Sequence, residues 1–301
     1  MKNVVWNESN IADQSDKTII ITGSNSGIGF EAAKVLAGKN AEVVLAVRNE
    51  EKGRSAIATI KNYYPGARVS MMTLDLADLQ SVSQFTAIFQ QRYKNLNILI
   101  NNAGVMIPPY TKTKDGFELQ IGTNHFGHFA LTLQLLDLLR NIKNSRIVNV
   151  SSGMHRIGKL NFDDLNWEKR KYIAWKAYGD SKIANLYFTY ELKRRIGECI
   201  VIAAAHPGWT ATDLQRNSGY MMFFNRFFAQ NAAMGALPVL YAAVDPNVKS
   251  GDYFGPDGFM EMKGYPKKVQ SNKLSEDISI AQKLWKISEK LTGITSDYKN
   301  S

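Results

Sequence analysis

Lys17-Thr18-Ile19-Ile20-Ile21-Thr22 runs without interruption into Gly23-Ser24-Asn25-Ser26-Gly27-Ile28-Gly29. The first six residues read as a strand whose near-continuous apolar character suits a sheet buried on both faces. The residues that follow form a glycine-rich turn, and Gly27 to Ala37 reads as a helix. Glycines allow such a turn to be tight and let backbone N–H groups approach a pyrophosphate at the helix N-terminus. The spacing is G-x-x-x-G-x-G rather than G-x-G-x-x-G, so its position directly after an apolar strand carries more weight than the glycines alone.

The same alternation continues outward. Further strands are predicted at Glu42–Val47, Arg68–Thr73, Asn97–Asn101, Arg146–Val150 and Ile200–Ala204. Helices are predicted at Glu50–Tyr63, stopped by Pro65-Gly66, then at Leu79–Tyr93, Gln120–Leu139 and Trp175–Ile196. The tail offers a short strand-like Asp252–Phe254 and an amphipathic helix from Glu276 to Leu291. This pattern predicts an α/β fold: a doubly wound parallel sheet of Rossmann type in a single domain, with right-handed crossovers and strand order 3-2-1-4-5-6-7. Residues 1–16 read as a polar N-terminal extension and residues 17–301 as the domain proper.

Composition bounds the function. The 301 residues are 45% hydrophobic, enough for a sizeable core. A single cysteine, Cys199, excludes an internal disulfide framework. Together with a polar start that lacks the long apolar run of a signal peptide, this leads us to expect a cytoplasmic protein. The formal charge of +10 is scattered along the chain, without a basic block interleaved with aromatics. No nucleic-acid partner is therefore expected, and a polyanionic small molecule is the simpler counterpart. The four histidines, His125, His128, His155 and His206, lack ligand spacing, so no metal is expected.

Several segments fall at the carboxyl ends of predicted strands, where open parallel sheets bind ligands. Asp75-Leu76 follows the third strand, Asn101-Asn102-Ala103-Gly104 the fourth, and Ser151-Ser152 the fifth. Either serine can also be a helix cap. Tyr178-Gly179-Asp180-Ser181-Lys182 lies on a helix, where residues four apart share a face. Tyrosine normally titrates near ~10, and a lysine beside the phenol is expected to lower that value. Asn124 sits inside a predicted helix, which a mediocre helix former occupies for a reason.

Taken in order, TGSNSGIG, LDL, NNAG, the helix asparagine, the strand-end serine, YxxSK and HPGWTAT resemble the short-chain dehydrogenase/reductase family from Lys17 to the final helix. The resemblance implies a catalytic tetrad of Asn124, Ser152, Tyr178 and Lys182. Tyr178 would give or take the substrate proton, Lys182 would tune it and hold the nicotinamide ribose, and Asn124 would support a proton relay through water. It also implies cofactor contacts from Gly23, Ser24, Asn25, Ser26, Gly27, Ile28 and Gly29, from Asp75 and Leu76, and from Asn102, Ala103 and Gly104. Tyr178 and Lys182 join these, with Pro207, Gly208, Thr210 and Thr212 holding the nicotinamide end. The stretch between Ser152 and Tyr178 is longer than in most members and contains Asp163-Asp164-Leu165-Asn166-Trp167. In this it is similar to the retinol-dehydrogenase and light-dependent protochlorophyllide-reductase branches.

The resemblance implies reversible hydride transfer between a carbonyl and an alcohol carbon. Reduction of a carbon–carbon double bond and NADP(H) sensing without turnover stand as alternatives. Cys199 begins a predicted strand and reads as structural. Enzymes of this architecture that use NAD place a carboxylate near the end of the second strand. This chain has Leu45-Ala46-Val47-Arg48-Asn49 there, and Arg48 suits a phosphate, so NADP(H) is the expected cofactor. The Met/Phe-rich stretch Tyr220–Phe228 reads equally as core, as a subunit contact or as an apolar lid over a hydrophobic substrate. Membrane association and a homo-oligomeric state stay open.

Overall fold

Strands apolar on both faces must be covered on both faces, and the computed structural model, which describes residues 5–210 and 230–295, places helices on each side of one sheet. The strands are β1 (Thr18–Thr22), β2 (Glu42–Val47), β3 (Val69–Thr73), β4 (Ile98–Asn101), β5 (Arg146–Val150), β6 (Val201–Ala205), β7 (Tyr253–Pro256) and β8 (Pro266–Lys268). Their order across the sheet is β3-β2-β1-β4-β5-β6-β7-β8. The first seven pair in parallel and keep the expected order. An unforeseen antiparallel edge strand, β8, is added after β7. Its three residues, Pro-Lys-Lys, carry no apolar alternation that would mark a strand.

The helices are α1 (Gly27–Gly38), α2 (Glu50–Tyr63), α3 (Leu79–Arg92), α4 (Gly127–Arg140), α5 (Ala174–Ile196), α6 (Ala232–Val244) and α7 (Ile278–Thr292). Strand side chains alternate between faces. Ile19 and Ile21 of β1 accordingly pack with Leu36 of α1 and Leu240 of α6, whereas Ile20 packs with Phe85 of α3 and Leu136 of α4. Helix α6 was not anticipated. Its sequence is apolar almost throughout and contains Pro238, so it has no polar face to give a helical period. Polar side chains cap four of these helices: Asn49 caps α2, Asp78 caps α3, Asn231 caps α6 and Asp277 caps α7.

Two further departures bear on the site. The helix expected over Gln120–Leu139 is interrupted: a single α-turn at Leu119–Ile121 leads into a π-turn, Gly122–Phe126, before α4. Residues 6–14 of the N-terminal extension pack onto the domain. The Trp6 and Tyr241 rings meet edge to face at 5.0 Å, Ile11 is buried in the core, and the Gln14 amide donates to the Lys39 carbonyl. Among the described residues no helix is long and apolar enough to cross a membrane.

The π-turn is seated by a close approach of backbones. A Cβ on Gly127 would run into the Leu76 carbonyl oxygen and lie 2.9 Å from the Leu76 Cβ. Gly127→Ala should therefore push the residues after β3 away from α4. The expected loss is about 1–3 kcal/mol, as for overpacked cores, read by urea unfolding. An unchanged midpoint would contradict the seating described.

Candidate active site

The turn after β1 is built as its glycines require. Gly23 and Gly27 have φ of +65° and +59°, a region closed to most side chains. A Cβ on Gly23 would lie 2.9 Å from the Ala103 Cα, and one on Gly29 2.7 Å from the Gly23 carbonyl. The first turn of α1 thus lies flush against the ends of β1 and β4. Ser24 is buried and donates to the Ile21 carbonyl. Ser26 occupies the N-cap of α1 without a side-chain cap bond, Asn25 is partly exposed beside it, and Ile28 is buried. The first-turn N–H groups of α1 and these short polar side chains make a site suited to a phosphate.

Thr22, unremarked in the sequence reading, organises this edge. Its Oγ1 accepts from the Asn102 and Ala103 amides, both at 2.9 Å, and lies 2.9 Å from His128 Nε2. His128 Nδ1 meets the Asn124 carbonyl at 3.0 Å, and a carbonyl only accepts, so Nδ1 carries the proton. Nε2 must then accept from the Thr22 hydroxyl. Burial holds this imidazole neutral, with its pKa down to about 4. His128 is buried, and it ties the π-turn to β1. The Asn102 side chain donates to the Thr22 carbonyl.

Three of the four tetrad residues converge at the ends of β4 and β5. A Cβ on Gly104 would lie 3.1 Å from Asn124 Oδ1 and 3.5 Å from Lys182 Nζ. Asn124 accepts from the Val105 amide at 2.8 Å and donates to the Val105 carbonyl at 3.0 Å and to Ser181 Oγ at 2.9 Å. Lys182 Nζ donates to the Val150 carbonyl at 3.2 Å and stands 5.6 Å from the centre of the Tyr178 ring. The fourth, Ser152, follows β5 and works to lower the Tyr178 phenol pKa. Ser152 accepts from the Met154 amide and caps the turn Gly153–Ile157, which is the capping role also open to it in the sequence. Ser151 instead donates to the Lys182 carbonyl.

The expected lowering of the Tyr178 pKa is reversed. Burial pushes the phenol up to about 12, outweighing the lowering influence of Ser152, and burial pulls Lys182 down to about 8. A buried ammonium 5.6 Å from the ring centre does not offset the loss of water around the phenolate.

The long stretch between Ser152 and Tyr178 forms a wall beside the tetrad. Lys159 N–H donates to Asp180 Oδ1 at 2.8 Å, and Arg170 lies 3.5 Å from both Asp164 Oδ2 and Asp180 Oδ2. The Arg170 guanidinium stacks 3.5 Å over Trp167. Tyr172 donates to buried Glu118 at 2.9 Å and accepts from Gln120, which in turn accepts from the Ile107 amide. Burial raises Glu118 above the usual carboxylate range and Asp180 to about 6.

The remaining predicted positions are scattered along the same edge. Asp75 accepts from the Ala77 amide, whereas Leu76 is buried against Gly127, which makes it a core residue as well. Arg48 is exposed just past β2, and no carboxylate occupies Val47. Pro207 and Gly208 follow β6, and Thr210 Oγ1 donates to the Pro207 carbonyl at 2.8 Å. Thr212 and Tyr220–Phe228 lie outside the described residues. Cys199 is exposed and precedes the amino end of β6, at the opposite edge of the sheet from Ser152.

Residues 17–222 match the family model for short chain dehydrogenase. The chain is 40% identical to mouse retinol dehydrogenase 12 over 284 residues, which span 92% of this chain and 87% of the relative. A crystal structure of an uncharacterized protein from Mycobacterium paratuberculosis superposes with a TM-score of 0.83 at 38% identity, covering 98% of this chain and all of the other. A short chain dehydrogenase from Escherichia coli CFT073 complexed with NADPH shares the fold at 24% identity and a TM-score of 0.65, with 80% and 96% of the two chains covered. The chain belongs to the short-chain dehydrogenase/reductase family, in its retinol-dehydrogenase-like branch, and is a carbonyl–alcohol oxidoreductase.

The buried lysine has a consequence for stability. Its folded pKa lies below that of the unfolded chain, so protonation favours unfolding. The penalty is full below about 8 and fades as pH rises toward the unfolded value of 10.5. Lys182→Met should therefore be more stable than the wild type near neutrality, with the advantage shrinking between these two values. Urea unfolding at three pH values checks this, and a pH-independent difference would contradict it.

Proposed function

We propose that this chain interconverts a carbonyl and an alcohol on an apolar substrate using NADP(H), with Tyr178 as the proton-transfer residue. One observation carries the reading: Asn124 Oδ1 and Lys182 Nζ converge beside Gly104, with Lys182 Nζ 5.6 Å from the centre of the Tyr178 ring. The glycine turn after β1 fits the pyrophosphate of a dinucleotide, because its close backbone approach leaves no room for side chains. The nicotinamide, when bound, supplies or takes the hydride.

The protein's part is binding, orientation and the proton. Ser152 Oγ can hydrogen-bond the substrate oxygen beside Tyr178. In reduction Tyr178 gives its hydroxyl proton to that oxygen as the alcohol forms, and in oxidation it takes the proton back. A phenol held near 12 enters as the donor, and the positive charge of Lys182 steadies the phenolate left behind. Cys199, at the far edge of the sheet, offers nothing to double-bond reduction of the protochlorophyllide kind. Tyr178→Phe should lower kcat by ~10²–10⁴-fold, the usual worth of a general acid, with cofactor affinity nearly unchanged. Stopped-flow or steady-state assays with NADPH and an aldehyde panel measure it, and retention of more than about a tenth of the rate would refute the role.

Arg48 supports the choice of NADP(H), since it is exposed just past β2 and a guanidinium at that position suits a ribose 2′-phosphate. The NADPH complex of the Escherichia coli relative agrees with it. A charge-assisted contact is worth ~1.5–3 kcal/mol, or about ten- to a hundred-fold. Arg48→Ala should weaken NADPH by about that factor and leave NADH almost unchanged. Fluorescence titration decides it, and equal affinities of the wild type for both cofactors would end the proposal.

A further inference from the structure

Between β7 and β8 the chain leaves the sheet at Pro256 and returns at Pro266, and this excursion closes over the turn Pro207–Trp209. The Trp209 amide donates to the Met262 carbonyl at 2.7 Å. Gly208, with φ of +68°, lies under Met262 so closely that a Cβ could not be accommodated. Buried Gln230 ties the same two segments: its amide donates to the Pro207 carbonyl at 2.7 Å and its oxygen accepts from the Gly264 amide at 3.1 Å. Phe259 and Met260, at the apex, are 82% and 75% exposed. Apolar burial therefore does not place this excursion; its polar contacts do.

Glu261 makes the contacts of interest. Met260 and Glu261 have φ of +51° and +56°, a region that residues with side chains seldom occupy. Glu261 Oε2 lies 2.9 Å from Nε2 of buried His206, and Oε1 accepts from Arg156 Nη2 at 3.0 Å. His206 directly follows β6, and Arg156 belongs to the turn that Ser152 caps. The Gly208 amide donates to His206 Nδ1 at 3.3 Å, so Nδ1 is bare and Nε2 carries the proton given to Glu261. The bond to His206 is the main reason the Glu261 carboxyl stays below the usual carboxylate range.

We propose that Glu261 is a positioning residue: by holding His206 as its Nε2–H tautomer it keeps Nδ1 available to the Gly208 amide, and so fixes the Pro207–Gly208 turn relative to Ser152. This rests on reading Pro207–Gly208 as the nicotinamide-holding segment. The ion pair with Arg156 joins the same carboxylate to the Ser152 side of the site. One side chain thus sets the spacing between the group that would hold the nicotinamide and the group that would hold the substrate oxygen.

The test uses the whole chain with Glu261→Gln and Glu261→Ala. Glutamine still offers an oxygen to Nε2–H, whereas alanine does not. Nitrogen-15 spectra of the histidine rings should show His206, assigned by its loss in His206→Gln, as a single Nε2–H tautomer in the wild type and in Glu261→Gln. In Glu261→Ala they should show a tautomer mixture. NADPH affinity by fluorescence should fall about tenfold in Glu261→Ala, with KM for the carbonyl substrate little changed, and glutamine should restore most of it. An unchanged tautomer or unchanged cofactor affinity in Glu261→Ala overturns the proposal, as does a glutamine variant as impaired as alanine. Should the wild type bind neither nicotinamide, the cofactor reading fails, and the tautomer spectra alone then judge the link from Glu261 to Gly208.

Discussion

The Thr22 hydroxyl occupies the junction on which the site depends. It is fully buried at the end of β1, takes two amide hydrogens from the segment after β4, and gives its own to His128. His128 passes the constraint on to the Asn124 carbonyl within the π-turn. An unmade hydrogen bond at this depth costs about 1–3 kcal/mol per orphaned group, so the four segments are held in one arrangement. The π-turn widens the helix just where the Asn124 side chain must reach Val105 and Ser181. Such bulges commonly sit at functional sites, because they free a carbonyl from the regular ladder. Here the freed geometry is what brings Asn124 beside Gly104 and Lys182.

The insertion after Ser152 shows a different economy. It contains no regular element beyond the short turn Gly153–Ile157, so it cannot hold itself by a helix or strand ladder. Buried ionisable groups hold it instead: Asp180 receives both a backbone amide and Arg170, and Glu118 receives Tyr172. Asp180 lies within the YGDSK segment, two residues from Tyr178 and from Lys182. The helix that presents the proton donor therefore also anchors the wall beside it. A shape change in the wall is transmitted to the tyrosine helix through a carboxylate whose partners cannot be replaced by water without cost.

The strand order and most helices were legible because they rest on periodicity and on glycine and proline punctuation. Ile19-Ile20-Ile21 can only be a strand covered twice, and Pro65-Gly66 can only end a helix. The Tyr178–Lys182 pair and the strand-end Ser152 were legible because residues four apart on a helix, and residues just past strands, fall on one edge, whereas their grouping with Asn124 came from the family resemblance. What escaped the sequence depends on tertiary neighbours. Helix α6 has no polar face to betray it, β8 exists because β7 offers an open edge, and the roles of Thr22 and His128 arise from contacts 106 residues apart in the chain. Ser181 could have been found, since it lies one helical turn past Tyr178 in the same motif, but nothing local says that it faces Asn124. Glu261 and His206 are separated by 55 residues and meet only because the β7–β8 excursion folds back.

The sign of the Tyr178 shift was misjudged for a related reason. Sequence supplies the spacing of a charge but not the depth of the groups, and depth decided the outcome. Both members of the Tyr178–Lys182 pair are driven toward their neutral forms, the phenol up to about 12 and the ammonium down to about 8. These shifts have one cause and opposite directions, since burial penalises whichever form is charged. On the proposed mechanism the consequence is directional. Near neutral pH the phenol is held as a donor, ready for carbonyl reduction, while the lysine still carries most of its charge. Alcohol oxidation must instead start from a phenolate that burial resists, so it gains as pH rises, until Lys182 loses the proton that makes it useful. The same desolvation that opposes ionisation also strengthens the Lys182–phenolate attraction once the charge has formed, and the two buried residues are therefore effective only as a pair.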